Sequence, residues 1–190
     1  MAGQERDTRR AIAETLIRLT ESQPYRSITV AQICQAVPVS RNTFYYHFDG
    51  KDALAQRIVS QHYLTYCYPV FFVCDKEAAA QAFFTYVERF KPFYTALYHA
   101  DGGALLTRCL YQAYGYALEP ENVTDYSTPS HSAKSDVDPD ICRRYTNSGT
   151  AAVVAAWVGD GMRESCQHMG RNLRILLTTS LEDVRDHHMY

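Results

Sequence analysis

From Ser40 to Lys51 the chain reads SRNTFYYHFDGK, twelve residues that hold a guanidinium, a carboxamide, two aliphatic hydroxyls, two phenols, an imidazole and an ammonium. That mixture of donors and acceptors suits phosphate oxygens and the edges of bases. Phe44 and Phe48 lie four apart, so a helix puts both on its buried side and leaves Arg41, Asn42, Thr43, Tyr45 and His47 distributed over the exposed side. Arg41 can donate two bonds to one guanine, and hydroxyls and imidazole can donate to phosphate. Catalysis would instead need a base at motif spacing from a nucleophile, and no Ser or Cys here has one. His62, His99 and His131 are scattered among exposed or loop-like stretches, and His187-His188 offers two ligands where a metal site needs three or four. Gly102-Gly103 lacks the setting of a phosphate loop and reads as a helix stop. The chain reads as a non-enzyme with no metal and no cofactor.

Such side chains act only if a helix is held at the right angle by others. Ile12, Leu16 and Leu19 recur at spacings of four and three, which predicts a first helix over 7–22, ended by Gln23-Pro24. Thr29 is a good N-cap for a second short helix with Val30, Ile33, Cys34 and Val37 on one face, stopped by Pro38. Ser40 caps a third, and after Asp49-Gly50 a fourth opens at Lys51 and runs over 51–68. Two short helices joined by a tight turn form a helix-turn-helix, whose second helix fits a DNA major groove. On spacing alone, a solvated polar helix in an ordinary bundle accounts for the same pattern. Further helices are predicted from an Asp75 cap to near Phe90, from Pro92, over 104–118, over about twenty residues ending at Trp157 to Gly161, and from Ser165 to about Leu181. Residues 119–139, with three prolines among acids and hydroxyl residues, predict a long exposed loop. No segment alternates like a strand, so the expected fold is all-α, with one domain over 1–50 and a second over 51–190.

Composition narrows the classes. The chain has 190 residues, 46% hydrophobic and 21% charged, enough to bury a core without staples. Its longest apolar runs, Ala151 to Val158 and Tyr68 to Cys74, are too short to span a membrane. The N-terminus is polar where an export signal would be apolar, which predicts a cytoplasmic protein. Six cysteines at 34, 67, 74, 109, 142 and 166 form no C-x-x-C pair and are expected to be reduced and mostly buried. The net charge is -2, yet residues 1–57 hold 8 basic and 6 acidic residues and the remainder 11 and 15. The first part is thus +2 and the rest -4, which points any contact with an anionic polymer to the N-terminal end.

The string ITVAQICQAVPVSRNTFYYHFDGKDAL, residues 28–54, resembles the DNA-binding signature of TetR-family transcriptional regulators, and the match extends over about 7–65. It rests on Thr29, Ile33, Ser40, the Thr43-Phe44-Tyr45 triplet, His47-Phe48, and Lys51 with Leu54. The resemblance implies that Arg41, Asn42 and Tyr45 face base edges, that Thr29, Thr43, Tyr46, His47 and Lys51 hold phosphates, and that Ser40 stands with them at the helix start. One departure is Pro38, where the family's turn usually has glycine. Proline fixes φ near -65° and cannot take the left-handed conformation. In the C-terminal half, AAWVGDGMRESCQHMGRNLRILL is similar to a TetR subgroup that includes activators of dihydroxyacetone kinase operons, through Trp157, Gly161, Ser165 and Met169. The subgroup's usual acid three residues after Ser165 is His168 here, so only the Ser165 cap remains.

The family implies a ligand-responsive regulator, most often a repressor, that binds a palindromic operator on double-stranded DNA as a homodimer. An alternative within the resemblance is a helical adaptor or co-activator acting through a partner protein. The implied effector pocket lies among helices four to seven, where 15 of the 24 aromatics fall in the 54 residues from Tyr63 to Tyr116. Tyr63, Tyr66, Phe83, Tyr86, Phe90, Tyr94, Tyr98, Tyr111 and Tyr114 are the candidates for an unknown small molecule, although aromatics also simply pack bundles. The small residues Ala152, Ala155 and Ala156, with the apolar stripe Met169, Leu173, Leu176 and Leu177, are the candidates for half of an intermolecular four-helix bundle. The same pattern serves internal packing.

Overall fold

A computed structural model describes residues 2–66, 76–117 and 138–178, and every regular element among them is helical. The first helix, α1 (Ala2–Thr20), starts earlier than its apolar spacing suggests and buries Thr15 with Ile12 and Leu16. A 3-10 turn over Tyr25–Ser27 follows, anchored by buried Tyr25 and Ile28. Helix α2 (Val30–Ala36) starts at a full capping box: the Gln32 amide donates to Thr29 Oγ1 at 3.2 Å, and the Thr29 amide donates to Gln32 Oε1 at 2.8 Å. Two of the orphan N–H groups of a helix start are satisfied in this way. The turn to α3 (Arg41–His47) runs through extended Val37 (φ -108°, ψ 120°), whose carbonyl accepts from the Val39 amide. Positive φ occurs, among the described residues, only at Gly102, Gly103, Gly161 and Met162. Pro38 therefore sits in a turn that needs no left-handed residue, and its departure from the family pattern is accommodated.

The fourth helix, α4 (Lys51–Tyr66), joins the head to the rest of the chain. Its buried residues Leu54, Ala55, Ile58, Val59 and His62 follow helical spacing and face the core. Around it stand α5 (Lys76–Arg89), α6 (Lys91–Asp101), α7 (Ala104–Ala117), α8 (Pro139–Gly159) and α9 (Cys166–Thr178). The closest pairings are α9 on α5 and α4 on α7. Helix α6 ends at left-handed Gly102 (φ 76°), and the Gly103 amide donates to the Tyr98 carbonyl at 2.8 Å, so the glycine pair is the stop that the sequence indicates. The Tyr98 ring lies over Gly159, where a Cβ would come within 2.2 Å of it. That absence of a side chain lets α6 and α8 close up.

Helix α8 opens at Pro139 with Asp138 as its cap, the carboxylate accepting from the Asp140 amide at 2.8 Å. The end of the expected loop at 119–139 is thus a helix start, and the remainder of that loop lies outside the described residues, as do Asp75, Cys67, Cys74 and His187-His188. Trp157 packs edge-on to Phe84, and its indole N–H donates to the Glu164 carbonyl at 3.0 Å, fixing the corner between α8 and α9. Ser165 caps α9, with the His168 amide donating to its hydroxyl at 3.2 Å. Cys34 and Cys109 are buried, and burial pushes the Cys109 thiol up to about 12. Cys142 is exposed and Cys166 half-buried, so two of the four described cysteines depart from the expected burial. None of the described helices is long and apolar enough to cross a membrane.

Candidate nucleic-acid interface

Helix α3 is presented as the residue spacing predicts. Phe44 is fully buried and Phe48 nearly so, their rings 5.7 Å apart. Burial of one such aromatic is worth about 1.5–3 kcal/mol, so the pair fixes which side of a seven-residue helix faces out. Ser40 caps it by accepting from the Thr43 amide at 3.0 Å, and the two hydroxyls lie 2.8 Å apart. On the outer side stand Arg41 and Asn42, both exposed, with Tyr45 and Tyr46 at 54% and 76% exposure. A guanidinium, a carboxamide and two phenols on a rigid helix form a surface able to read base edges and touch phosphates. Thr29 is exposed at the start of α2, where its hydroxyl also donates to Gln32 Oε1 at 3.1 Å.

Two residues of the expected contact set are turned elsewhere. The His47 side chain is only 6% exposed and lies 4.0 Å from the Glu5 carboxylate of α1. Three residues on from Phe44, it falls on the buried side of the helix beside Phe48, which corrects its place on the outer face. Lys51 donates to the carbonyls of Tyr25 and Ile28 at 2.6 and 2.7 Å, and its ammonium stands 4.2 Å from the Tyr25 ring centre. Its charge is spent on tying the 3-10 turn to α4 instead of standing free for a phosphate, and partial burial lowers its pKa. The Tyr25 hydroxyl donates to Asp52 Oδ1 at 2.7 Å, and Arg108 of α7 stands 4.0 Å from Oδ2. Burial, followed by that hydrogen bond, pushes the phenol far up. The head is thus locked to α4, α1 and the 3-10 turn pack on α6, and Asp52 reaches Arg108 of α7.

The aromatic candidates separate into two clusters. Tyr63, Phe83 and Tyr114 meet with ring centres 5.0 to 6.1 Å apart, bringing α4, α5 and α7 together. Tyr86, Phe90 and Tyr94 surround His62, with centres 4.8, 4.8 and 6.1 Å from the imidazole. His62 Nδ1 lies 3.2 Å from the Tyr94 hydroxyl, and burial drives its pKa down to about 4. The sequence reading scattered this histidine among exposed stretches. Its spacing of four from Ile58 and three from Val59 was the signal that puts it in the core. Tyr98 serves the α6–α8 contact, Tyr111 is half-buried and packs against the core, and the Tyr66 side chain lies outside the described residues. Thr95 Oγ1, Gln112 Oε1 and Asn147 Nδ2 are buried and have no hydrogen-bond partner. A groove of about 480 Å³ runs along α5 past Ala78, Ala82 and Thr85 and touches only Tyr86 of the nine candidates.

The expected dimer stripe is also divided. Met169 and Leu173 are buried against α5 within the chain, because Gly170 between them lets α9 approach so closely that a Cβ there would stand 2.8 Å from the Gln81 amide nitrogen. Arg174 reinforces the contact by donating to Glu77 at 3.0 Å. Ala155 is buried as well. Ala152 and Ala156 on α8 remain exposed, as do Leu176 and Leu177 at 41% and 42%. Ile141 and Tyr145, which the sequence reading left out, extend the alanine face at spacings of four and seven and are 62% and 67% exposed.

Against this geometry, residues 12–58 match the family model for bacterial regulatory proteins of the TetR family, and residues 76–179 match one for a transcriptional regulator C-terminal region. Among solved structures, "Dihydroxyacetone kinase operon activator DhaS" superposes with a TM-score of 0.56 at 19% identity, covering 94% of this chain and 97% of its own. A TetR transcriptional regulator from Streptococcus agalactiae 2603V gives 0.58 at 18% identity, over 93% and 96%. The TetR family repressor AlkX from Dietzia sp. strain DQ12-45-1b gives 0.52 at 16%, over 89% and 92%. Comparison with curated proteins gave no match. The chain belongs to the TetR family of DNA-binding transcriptional regulators.

Proposed function

We propose that this chain is a ligand-responsive repressor that binds a palindromic operator as a homodimer and leaves it when a small molecule enters the C-terminal helices. The observation that carries the reading is the outer face of α3, where Arg41, Asn42, Tyr45 and Tyr46 stand exposed on a helix pinned by Phe44 and Phe48. Residues 1–50 form the reading head, α4 the link, and the chain from residue 51 the effector and dimer domain. Ser40 and Thr43 hold the start of α3 and stand where a phosphate meets a groove-bound helix.

Two recognition helices must reach successive major grooves, which requires a dimer. Support for one comes from the exposed row of Ile141, Tyr145, Ala152 and Ala156 on α8, with Leu176 and Leu177 on α9. Support for an effector site comes from the Tyr63, Phe83 and Tyr114 cluster, and from an acceptor at Gln112 and a donor at Asn147 that are buried without partners. Buried polar atoms of that kind cost stability unless something pairs with them. A second reading, a co-activator working through a partner protein, takes its support from the structural likeness to a protein named as an operon activator. The regulator acts in the cytoplasm, where its DNA is.

The test is a band shift on DNA flanking its own gene, followed by anisotropy titrations of Arg41→Ala. The variant should lose about 1–3 kcal/mol on the preferred sequence and little on a random duplex. Equal loss on both would remove Arg41 from base reading. Absence of any DNA binding by the purified protein would favour the partner-dependent reading.

A further inference from the structure

Asn147 shares the inner side of α8 with Ala151 and Val154 and is only 6% exposed, yet its Nδ2 has no hydrogen-bond partner among the described residues. Gln112 Oε1, on α7, is buried in the same condition. The two helices pack on each other. A Cβ on Gly103 or on Gly159 would meet the same Tyr98 ring, so α7 begins where α8 ends and they run antiparallel. Gln112 is nine residues from that level and Asn147 twelve, about 14 and 18 Å along the helices, within one turn of each other. An amide oxygen and an amide nitrogen in reach of each other would pair. These do not, and each unpaired polar atom costs stability until something stands between them.

The interior around them carries no charge. Besides Asn147, the buried polar residues among those described are Thr15, Thr20, Ser60 and His62, and burial brings the imidazole pKa down to about 4, so it is neutral at neutral pH. Arg108 and Arg143, one turn from Gln112 and Asn147, are exposed and stand against Asp52 and Asp140. A carboxylate or an ammonium entering here would be buried without a counter-charge, which is strongly unfavourable. A hydroxyl both donates and accepts, so one such group satisfies Gln112 Oε1 and Asn147 Nδ2 together, and does so with either amide turned over.

We infer that the α7–α8 contact admits an uncharged, hydroxyl-bearing small molecule whose hydroxyl bridges Gln112 and Asn147. The assignment rests on the effector reading above and adds the chemical class of the ligand. The experiment titrates the full chain at neutral pH with benzyl alcohol, benzoate and benzylammonium, three probes of one size that differ in the charge of the head group, followed by saturation-transfer NMR. Benzyl alcohol should bind, and the two ions about a hundredfold more weakly. Gln112→Met and Asn147→Leu, close in shape to the native residues, should each weaken the alcohol about three- to tenfold. Without any ligand, Asn147→Leu should melt higher than the wild type, because it removes a buried donor that has no partner. A lower melt would mean that the amide is paired within the fold, and overturns the inference. So does an ion that binds as tightly as the alcohol, an alcohol that does not bind, or an alcohol affinity unchanged in Gln112→Met. Anisotropy on the duplex found by band shift separates the two readings. Alcohol that binds through Asn147 but leaves the duplex bound keeps the site and overturns its effector role, whereas release by benzoate alone keeps a ligand-responsive regulator and overturns the uncharged class.

Discussion

Replacing His62 by phenylalanine isolates the cost of burying an imidazole among four aromatic rings. In the folded chain its pKa is about 4, driven down by burial, against about 6.5 for an exposed histidine. Because the folded value is depressed, the unfolded chain binds the extra proton between pH 6.5 and 4, so stability rises with pH through that window and is level above it. Between pH 7.5 and pH 5 the linkage amounts to about 2 kcal/mol of lost stability from this one group. Phenylalanine fills the same space between Tyr86, Phe90 and Phe93 and cannot titrate. Urea denaturation of both proteins at the two pH values, at one fixed protein concentration, gives the difference directly. The wild type should fall by about 2 kcal/mol more than His62→Phe on acidification. Equal losses in the two proteins would mean that His62 is solvated or already charged at pH 7.5, and would refute its place inside the cluster.

Gly170→Ala should destabilise the fold by more than the helix propensity it gains, about 1 kcal/mol, because the new methyl meets the Gln81 backbone. Gly115→Ala on α7, with nothing within 4 Å of a new Cβ, should raise the melting temperature, and the two calorimetric shifts should have opposite signs. Lys51→Met should cost about 2 kcal/mol of stability, since two carbonyls lose a charged donor, and a neutral melt would show that the lysine is not held as described. Leu176→Glu with Leu177→Glu should convert a sedimenting dimer to folded monomers that lose operator affinity. Leu173→Glu should unfold the chain, and a folded monomer from Leu173→Glu would put that residue back at the interface.

The head was legible because its determinants are local. Thr29 caps three residues ahead of Gln32, Ser40 three ahead of Thr43, and Phe44 and Phe48 share a face, so a window of a few residues holds the cap, the length and the orientation of each helix. Misplaced residues have partners elsewhere. Lys51 finds its acceptors 26 and 23 residues away, and nothing in its surroundings in the sequence says that they are there. The spacing rule already places His47 with Phe44, three positions on. A polar side chain so placed reads as exposed until the Glu5 contact from another helix is known. An apolar stripe such as Met169, Leu173, Leu176 and Leu177 states that burial is needed but not what supplies it. Gly170 settles half of the question by admitting the α5 backbone to the Met169 and Leu173 side. What that contact leaves exposed among the described residues, Leu176 and Leu177 with the Ile141 to Ala156 row, is the part of the pattern that the proposed dimer would cover.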